Sequence, residues 1–265
     1  MLHLTDSDKK VRCLCGLPIF INQIPIYPIT VRQVIEAGEI KYNTSLMSII
    51  ALHKTLELIS EDQVDLDKLS ELTPFELLLI LSTIHPDFCV QISDSISFFL
   101  NDDYDVKFNT TDECFDITHE DQIIGQLNKD NYEEFISVIK LQNYQQKEDE
   151  QAEQLAKMSD KQKELWKKRE RDRAMVRKLK GEKDSSHLTY EDYISILLSK
   201  SSEMNVEKCL NATLYFMFNY LERLALIDQY EVGIQQLMAG AKPEQVKLTH
   251  WLSSLMDIRD KGDNS

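Results

Sequence analysis

The chain has 265 residues, 42% of them hydrophobic, and a formal net charge of −15. That apolar fraction supports a packed core and rules out a wholly disordered chain, while the charge opposes general binding to nucleic acid or anionic membranes. Only 7 glycines and 6 prolines are present, too few for the many tight turns of sandwiches, barrels or doubly wound sheets, so a mainly helical fold is expected.

The N-terminus mixes acids and bases before any apolar run, which does not read as a secretory signal. Cys13, Cys15, Cys89, Cys114 and Cys209 are odd in number and irregular in spacing, so a reducing, cytoplasmic setting is expected rather than a disulfide framework. Cys13-x-Cys15, with His3 nearby, would point both thiols to one side of an extended segment. Zinc sites use paired C-x₂₋₄-C units, and no second pair exists, so the two read as strand or arm cysteines.

Leu17–Thr30 (LPIFINQIPIYPIT) is β-branched and interrupted by Pro18, Pro25 and Pro28, which allows only extended or edge-strand structure. Thr30 with Gln33 forms a capping-box pattern, and Gly38 suits a break between two helical pieces. From Ser45 to Ile59 the spacing of Leu46, Ile49, Ile50, Leu56 and Ile59 is close to helical. Thr73-Pro74 starts a further helix, apolar nearly all round and so a core element, which Pro86 ends; residues 87–100 give an amphipathic one. Residues 104–127 alternate as short strands. Asn128–Asn143 returns to helix, with Tyr132, Phe135, Ile136 and Ile139 on one face.

Two polar windows invite chemistry and do not sustain it. His119-Glu120-Asp121 lacks the second histidine of H-E-x-x-H and reads as a solvated turn. Asn101–Asp105 lacks the glycine and terminal glutamate of a calcium loop. No phosphate-binding glycine motif or nucleophile elbow occurs. The expectation is a non-enzymatic protein without cofactor or metal.

Charge divides the chain. Residues 1–146 carry a net −14, residues 147–184 a net +3 and residues 185–265 a net −4. The middle is rich in strong helix formers, and Lys161–Lys183 holds 11 basic and 4 acidic residues around Trp166. It reads first as a solvated linker helix, then as a docking helix for an acidic partner through Trp166, Lys167, Arg169 and Arg173, and last as a nucleic-acid contact. A further alternative is that it folds onto the acidic N-terminal domain.

Beyond it, Thr189 with Asp192 forms an acidic capping box, and Asn205 suits a second cap. Thr213–Ala239 is helical, with one apolar row at Leu210, Leu214, Met217, Leu221 and Leu224, and Gly240 is its stop. Pro243 is expected to open a last helix through Leu248, Trp251, Leu252, Leu255 and Ile258. The aromatics Tyr215, Phe216, Phe218 and Tyr220 wrap too much of their helix for one buried stripe, so Tyr215, Phe218, Tyr220 and Trp251 are candidate partner contacts. The expected division is an acidic α(+β) domain over 1–144, a charged helical connector over 145–187, a helical bundle over 188–258 and a disordered tail over 259–265.

Two stretches carry a resemblance. IPIYPITVRQVIEAGEIKYNTSLMSI (Ile24–Ile49) and LNATLYFMFNYLERLALIDQYEVGIQQLMAGAKPEQVKLTHW (Leu210–Trp251) resemble patterns in tail-module proteins of long-tailed bacteriophages of Gram-positive hosts. Together they span about a quarter of the chain. The family so resembled is that of tail assembly chaperones. The resemblance implies an acidic, soluble protein of the host cytoplasm without catalytic residue or cofactor. It would assemble as a homo-oligomer on the tape-measure protein, recruit tail-tube subunits and be absent from the finished virion. Many members of that family are made in short and long forms by ribosomal frameshifting. Rival expectations are a nucleic-acid-associated factor using the basic stretch 161–183, another phage tail-module protein, or an enzyme of unrecognised type.

Overall fold

The computed structural model describes residues 4–52, 72–84, 86–101, 103–145, 188–246 and 248–252. It is mainly helical, with small antiparallel sheets in the N-terminal region and helices in the C-terminal part. The chain forms two compact units. Unit 1 is Met1–His187 with Leu210–Tyr215, and unit 2 is Leu188–Cys209 with Phe216–Ser265. Residues 53–71, the Leu56 and Ile59 of the helical pattern, the connector from residue 146 to 187 and everything after residue 252 lie outside the described residues.

Unit 1 opens with a helix where the sequence pointed to an extended arm. Helix α1 (Asp6–Cys15) starts at a capping box: the Thr5 hydroxyl accepts from the Asp8 amide at 3.2 Å, and the Asp8 carboxylate accepts from the Thr5 amide at 3.0 Å. It stops at Gly16, whose φ of 72° only glycine adopts without strain. Two residues apart on a helix lie about 200° apart around the axis. Cys13 is therefore buried while Cys15 faces solvent, and the pair does not converge as a strand pair would.

Strands β1 (Ile19–Ile21) and β2 (Ile24–Ile26) form a tight hairpin with Ile21 opposite Ile24. Asn22 takes the positive φ of the turn, 54°. Ile19, Ile21, Ile24 and Ile26 are all buried, and Pro25, which has no amide to donate, pairs opposite the exposed Phe20. Helix α2 (Val31–Ala37) carries the Thr30–Gln33 capping box, and Gly38 at φ 88° separates it from α3 (Glu39–Ile50).

Helix α4 (Pro74–Ile84) buries Phe75, Leu77, Leu78 and Leu81. At its start the Thr73 amide donates to the Glu76 carboxylate at 2.9 Å, and the Glu76 amide donates back to the Thr73 hydroxyl at 3.3 Å. Helix α5 (Pro86–Phe99) meets α3 through the buried hydroxyls of Ser48 and Ser95, 3.0 Å apart. Strands β3 (Asp105–Asn109), β4 (Cys114–His119) and β5 (Gln122–Leu127) form a meander in chain order. Its second turn is Glu120-Asp121, both at positive φ, the backbone shape that tight two-residue hairpins require.

Helix α6 (Tyr132–Gln142) buries Tyr132, Phe135, Ile136, Val138, Ile139, Leu141 and Gln142 in the core and leaves Glu133, Glu134 and Ser137 exposed. The buried Tyr42 hydroxyl donates to Asn143 Oδ1 at 2.9 Å, Asn143 Nδ2 donates to the Ile139 carbonyl at 2.7 Å, and Gln142 Nε2 donates to the Ile26 carbonyl at 3.0 Å. These bonds tie α3, α6 and the hairpin together.

The last part of unit 1 arrives from far along the chain. Thr213 pairs with Thr30 as an isolated antiparallel bridge, with Val31 N to Ala212 O and Leu214 N to Ile29 O, each 2.9 Å. The Thr213 hydroxyl donates to the Cys13 carbonyl at 2.9 Å, Arg32 Nε donates to Asn211 Oδ1 at 3.2 Å, and the Tyr215 ring meets that of Tyr144 edge-on at 5.5 Å.

Unit 2 consists of α7 (Tyr190–Lys200), most of α8 (Val206–Asn211), helix α9 (Leu214–Met238) from Phe216 onward, and the chain after it. The Thr189–Asp192 capping box is present, and Asn205 Oδ1 accepts from the Lys208 amide at 2.8 Å. Gly240, at φ 95°, ends α9 with its amide on the Leu237 carbonyl and that of Ala241 on Gln236.

The expected final helix does not form over the described residues. Pro243–Gln245 makes one turn of 3₁₀ helix, Val246 is extended, and 248–250 have no regular structure; Leu255 and Ile258 lie outside the described residues. The reason is visible at Gly233. A Cβ there would fall 2.9 Å from Leu248 Cδ1 and 3.3 Å from Val246 Cγ1, so the bare backbone of α9 is where the returning chain packs. Both Val246 and Leu248 reach that backbone, as residues two apart on a helix would not.

Candidate protein-binding surface

Unit 2 is organised around α9. Three side-chain contacts hold α7 to it. Tyr193 meets Phe218 edge-on at 5.2 Å, the Tyr220 hydroxyl donates to Ser201 Oγ at 2.9 Å, and Lys200 Nζ sits 2.6 and 2.9 Å from the two Asp228 oxygens. The ion pair is half-exposed on both sides, so it contributes at most about 1 kcal/mol. The aromatic contacts and the burial of Leu197 do more to fix the pairing.

The returning chain runs back along the same helix. From Val246 and Leu248 at Gly233 it passes His250 against Tyr230, ring centroids 5.0 Å apart, and reaches the Trp251 carbonyl, which accepts from Arg223 Nη1. Trp251 stacks on His250 at 5.8 Å and 20°. The backbone is thus anchored while the side chains at its end stay open: Trp251 is 38% exposed and Leu252 70%. Leu248, Val232 and Met238 are further exposed apolar side chains of this unit.

The aromatic candidates take different places. Tyr215 is buried within unit 1 against Tyr144. Phe218 and Tyr220 are half-buried, one against Tyr193, the other bonded to Ser201 and stacked on Phe216 at 5.6 Å. Trp251 is exposed. Trp166, Lys167, Arg169 and Arg173 lie outside the described residues, as does His3. Leu252 was not singled out in the sequence, because in the expected helix it belonged to the apolar stripe. Its exposure follows from the chain turning at 251–252 instead of running on as a helix.

The remaining polar groups are positioned structurally. The His119 ring lies against that of Tyr104 at 5.0 Å, tilted by 41°, with Nδ1 3.1 Å from the Asp103 carbonyl, and its neighbours Glu120 and Asp121 form the hairpin turn. Burial pushes the Cys13 thiol up to about 12, and burial followed by the nearby Asp116 carboxylate pushes Cys114 up to about 11, so neither holds a thiolate at neutral pH. Glu76 is held down to about 2, first by the Lys129 ammonium 2.8 Å away and then by the Thr73 amide and hydroxyl. Among the described residues no group of three His, Cys, Asp or Glu side chains is arranged to hold a metal ion. No helix there is long and apolar enough to cross a membrane.

Residues 180–256 match the family model described as YomV second domain, a phage-associated family. The match covers less than a third of the chain and includes all the described residues of unit 2. No curated protein matches, and no solved structure matches. The matched segment supports a phage protein.

Proposed function

We propose that this chain is a non-enzymatic, protein-binding phage protein, and more specifically a tail assembly chaperone that works in the host cytoplasm. The observation that carries the protein-binding part is the turn at Trp251 and Leu252, held to α9 through the Trp251 carbonyl, which presents both side chains to solvent. Exposed aromatic and aliphatic side chains on a fixed backbone lose little conformational freedom on docking, as a protein contact requires. The phage assignment has the support of the match over residues 180–256. The chaperone role draws on the tail-module resemblance of Ile24–Ile49 and Leu210–Trp251 and on the acidic charge, which favours partners with basic patches. In this reading unit 1 assembles as copies along a long client, the tape-measure protein, and unit 2 brings the tail-tube subunit.

The test is co-expression with each neighbouring gene of the source genome, using the full chain and the variant Trp251→Asp/Leu252→Asp. The expected result is a large neighbour that stays soluble only with the unmodified chain, and a second, smaller one whose retention the variant abolishes. If no neighbour changes solubility or co-purifies, the chaperone reading fails. If the variant behaves like the unmodified chain, the assigned surface is wrong.

A further inference from the structure

The two polar windows that the sequence leaves without a role meet in the fold. Strand pairing sets Asp105 opposite Thr118, so the residues one step beyond, Tyr104 and His119, come side by side. Their rings lie 5.0 Å apart, tilted by 41°. The Asp103 carbonyl only accepts, so at 3.1 Å from His119 Nδ1 it fixes a ring proton there. Nε2 is left without a partner among the described residues and is an acceptor in the neutral ring. Tyr27, which follows β2, closes the group. Burial, then the Tyr27 phenol, then the Asp103 carboxylate push the Tyr104 phenol up. His119 and Asp103 are exposed, and both tyrosines are half-buried. Negative charge is concentrated here and is not neutralised. Residues 103–121 hold seven Asp or Glu and a single cation, Lys107, which stands opposite Asp116. Asp103 and Asp105 flank Tyr104, and Glu120 and Asp121 follow His119. None of these four carboxylates is in an ion pair among the described residues. Asp103 is engaged only through Oδ2, by Asn101 Nδ2 at 3.2 Å.

We propose that Tyr104, His119 and Asp103 form a receptor for an arginine side chain of a basic partner protein. Aromatic ring faces attract a cation, and unpaired carboxylates beside them add to the pull. The guanidinium is flat and weakly hydrated, so it stacks on a ring while its N–H groups bond the Asp103 carboxylate and His119 Nε2. An ammonium is more strongly hydrated and has no plane to stack, which sets arginine above lysine. One exposed ion pair is worth little alone, so the arginine must belong to a chain that makes further contacts. The surrounding carboxylates favour further bases in that chain. The receptor goes beyond the docking turn at Trp251 and Leu252 and does not rest on it.

The test titrates the full chain at low salt with end-blocked hexa-arginine and hexa-lysine peptides, following the histidine Hε1 signals by NMR. The variant His119→Gln identifies the His119 signal among the six histidines. Hexa-arginine is expected to shift that signal and to bind about 3- to 10-fold more tightly than hexa-lysine. Asp103→Asn is expected to weaken hexa-arginine about 3- to 10-fold. Glu113→Gln removes the same charge at the other end of β4 and is expected to weaken it less than about twofold. Both carboxylates are exposed, so neither substitution threatens the fold. Equal weakening by the two substitutions, or equal affinity for the two peptides, reduces the binding to general acidity and overturns the receptor. A His119 signal that stays in place at saturating hexa-arginine overturns it as well. A shift given equally by magnesium ions marks a metal-ion site instead and has the same consequence.

Discussion

Gly125→Ala should destabilise unit 1, although alanine is ordinarily the better strand residue. An alanine in place of a mid-strand glycine recovers roughly 0.5–1 kcal/mol of backbone entropy. Here the added Cβ would fall 2.6 Å from Ile24 Cγ1 and 3.1 Å from its Cδ1. Carbon atoms pack at about 3.5–4.0 Å, so the first contact overlaps by about 1 Å. Ile24 is fully buried in β2, and Cγ1 is one bond from a β-branched Cβ, so relief needs a new χ1 or a shift of the hairpin. Overpacking of this kind costs about 1–3 kcal/mol, leaving a net loss of about 1–2. Hydrogen–deuterium exchange of peptides covering 19–26 and 122–127 reads this as exchange about 5- to 30-fold faster. On an Ile24→Ala background, which removes Cγ1, the same substitution should cost nothing. Unchanged or slower exchange in Gly125→Ala alone would refute the close approach of β2 and β5.

Gly233→Ala should have the opposite sign: the atom it meets first, Leu248 Cδ1, is the tip of a half-exposed flexible side chain, and a helix-interior alanine recovers about 1 kcal/mol. Exchange should slow in α9 and quicken in 246–252. Tyr42→Phe leaves the buried Asn143 Oδ1 without the donor 2.9 Å away and should cost about 1–3 kcal/mol by urea unfolding, with α3 and α6 loosened together. Thr213→Val keeps the shape but removes the bond to the Cys13 carbonyl, costing about 1 kcal/mol, and should speed exchange of the Val31 and Leu214 amides. Glu76 has a folded value depressed from 4.5 to about 2, so its contribution is complete above 4.5 and is lost as pH falls towards 2. An acid titration should show a shallower stability loss over that window in Glu76→Gln.

Local signals proved readable where neighbouring residues settle the outcome. Thr30 with Gln33, Thr73-Pro74, Thr189 with Asp192, and the terminators Gly38 and Gly240 all lie where the chain starts or stops helices, because cap and capped group are at most a few residues apart. The start of α1 carried the same kind of signal. Thr5 and Asp8 are spaced as a capping box with the shorter acid in the glutamate's place, and Gly16 is the stop, so the two thiols lie on a helix rather than on an extended arm. The last helix went wrong for a different reason. Leu248, Trp251, Leu252, Leu255 and Ile258 are spaced as a stripe, yet Val246 and Leu248 instead close on a bare position of another element, Gly233. The mean pattern of a window cannot register a gap elsewhere in the chain.

The segment Leu210–Tyr215 is the deepest case of that limit. Its residues are all accounted for locally, Asn211 ending a short helix and Leu214 opening a long one, and Thr213 reads as an ordinary residue between them. What ties it to unit 1 is a set of groups elsewhere: the Val31 amide at the start of α2, the Ile29 carbonyl after the hairpin, and the Cys13 carbonyl at the end of α1, which also accepts the Gly16 amide at 3.4 Å. Helix ends leave such groups unpaired by construction, and a buried helix end must find partners beyond itself. Two of the three belong to helix termini, so the capping rules that locate α1 and α2 also imply unmet needs at those places. They do not say which residues meet them, and here the answer lies much further along the chain, at Ala212 and Thr213.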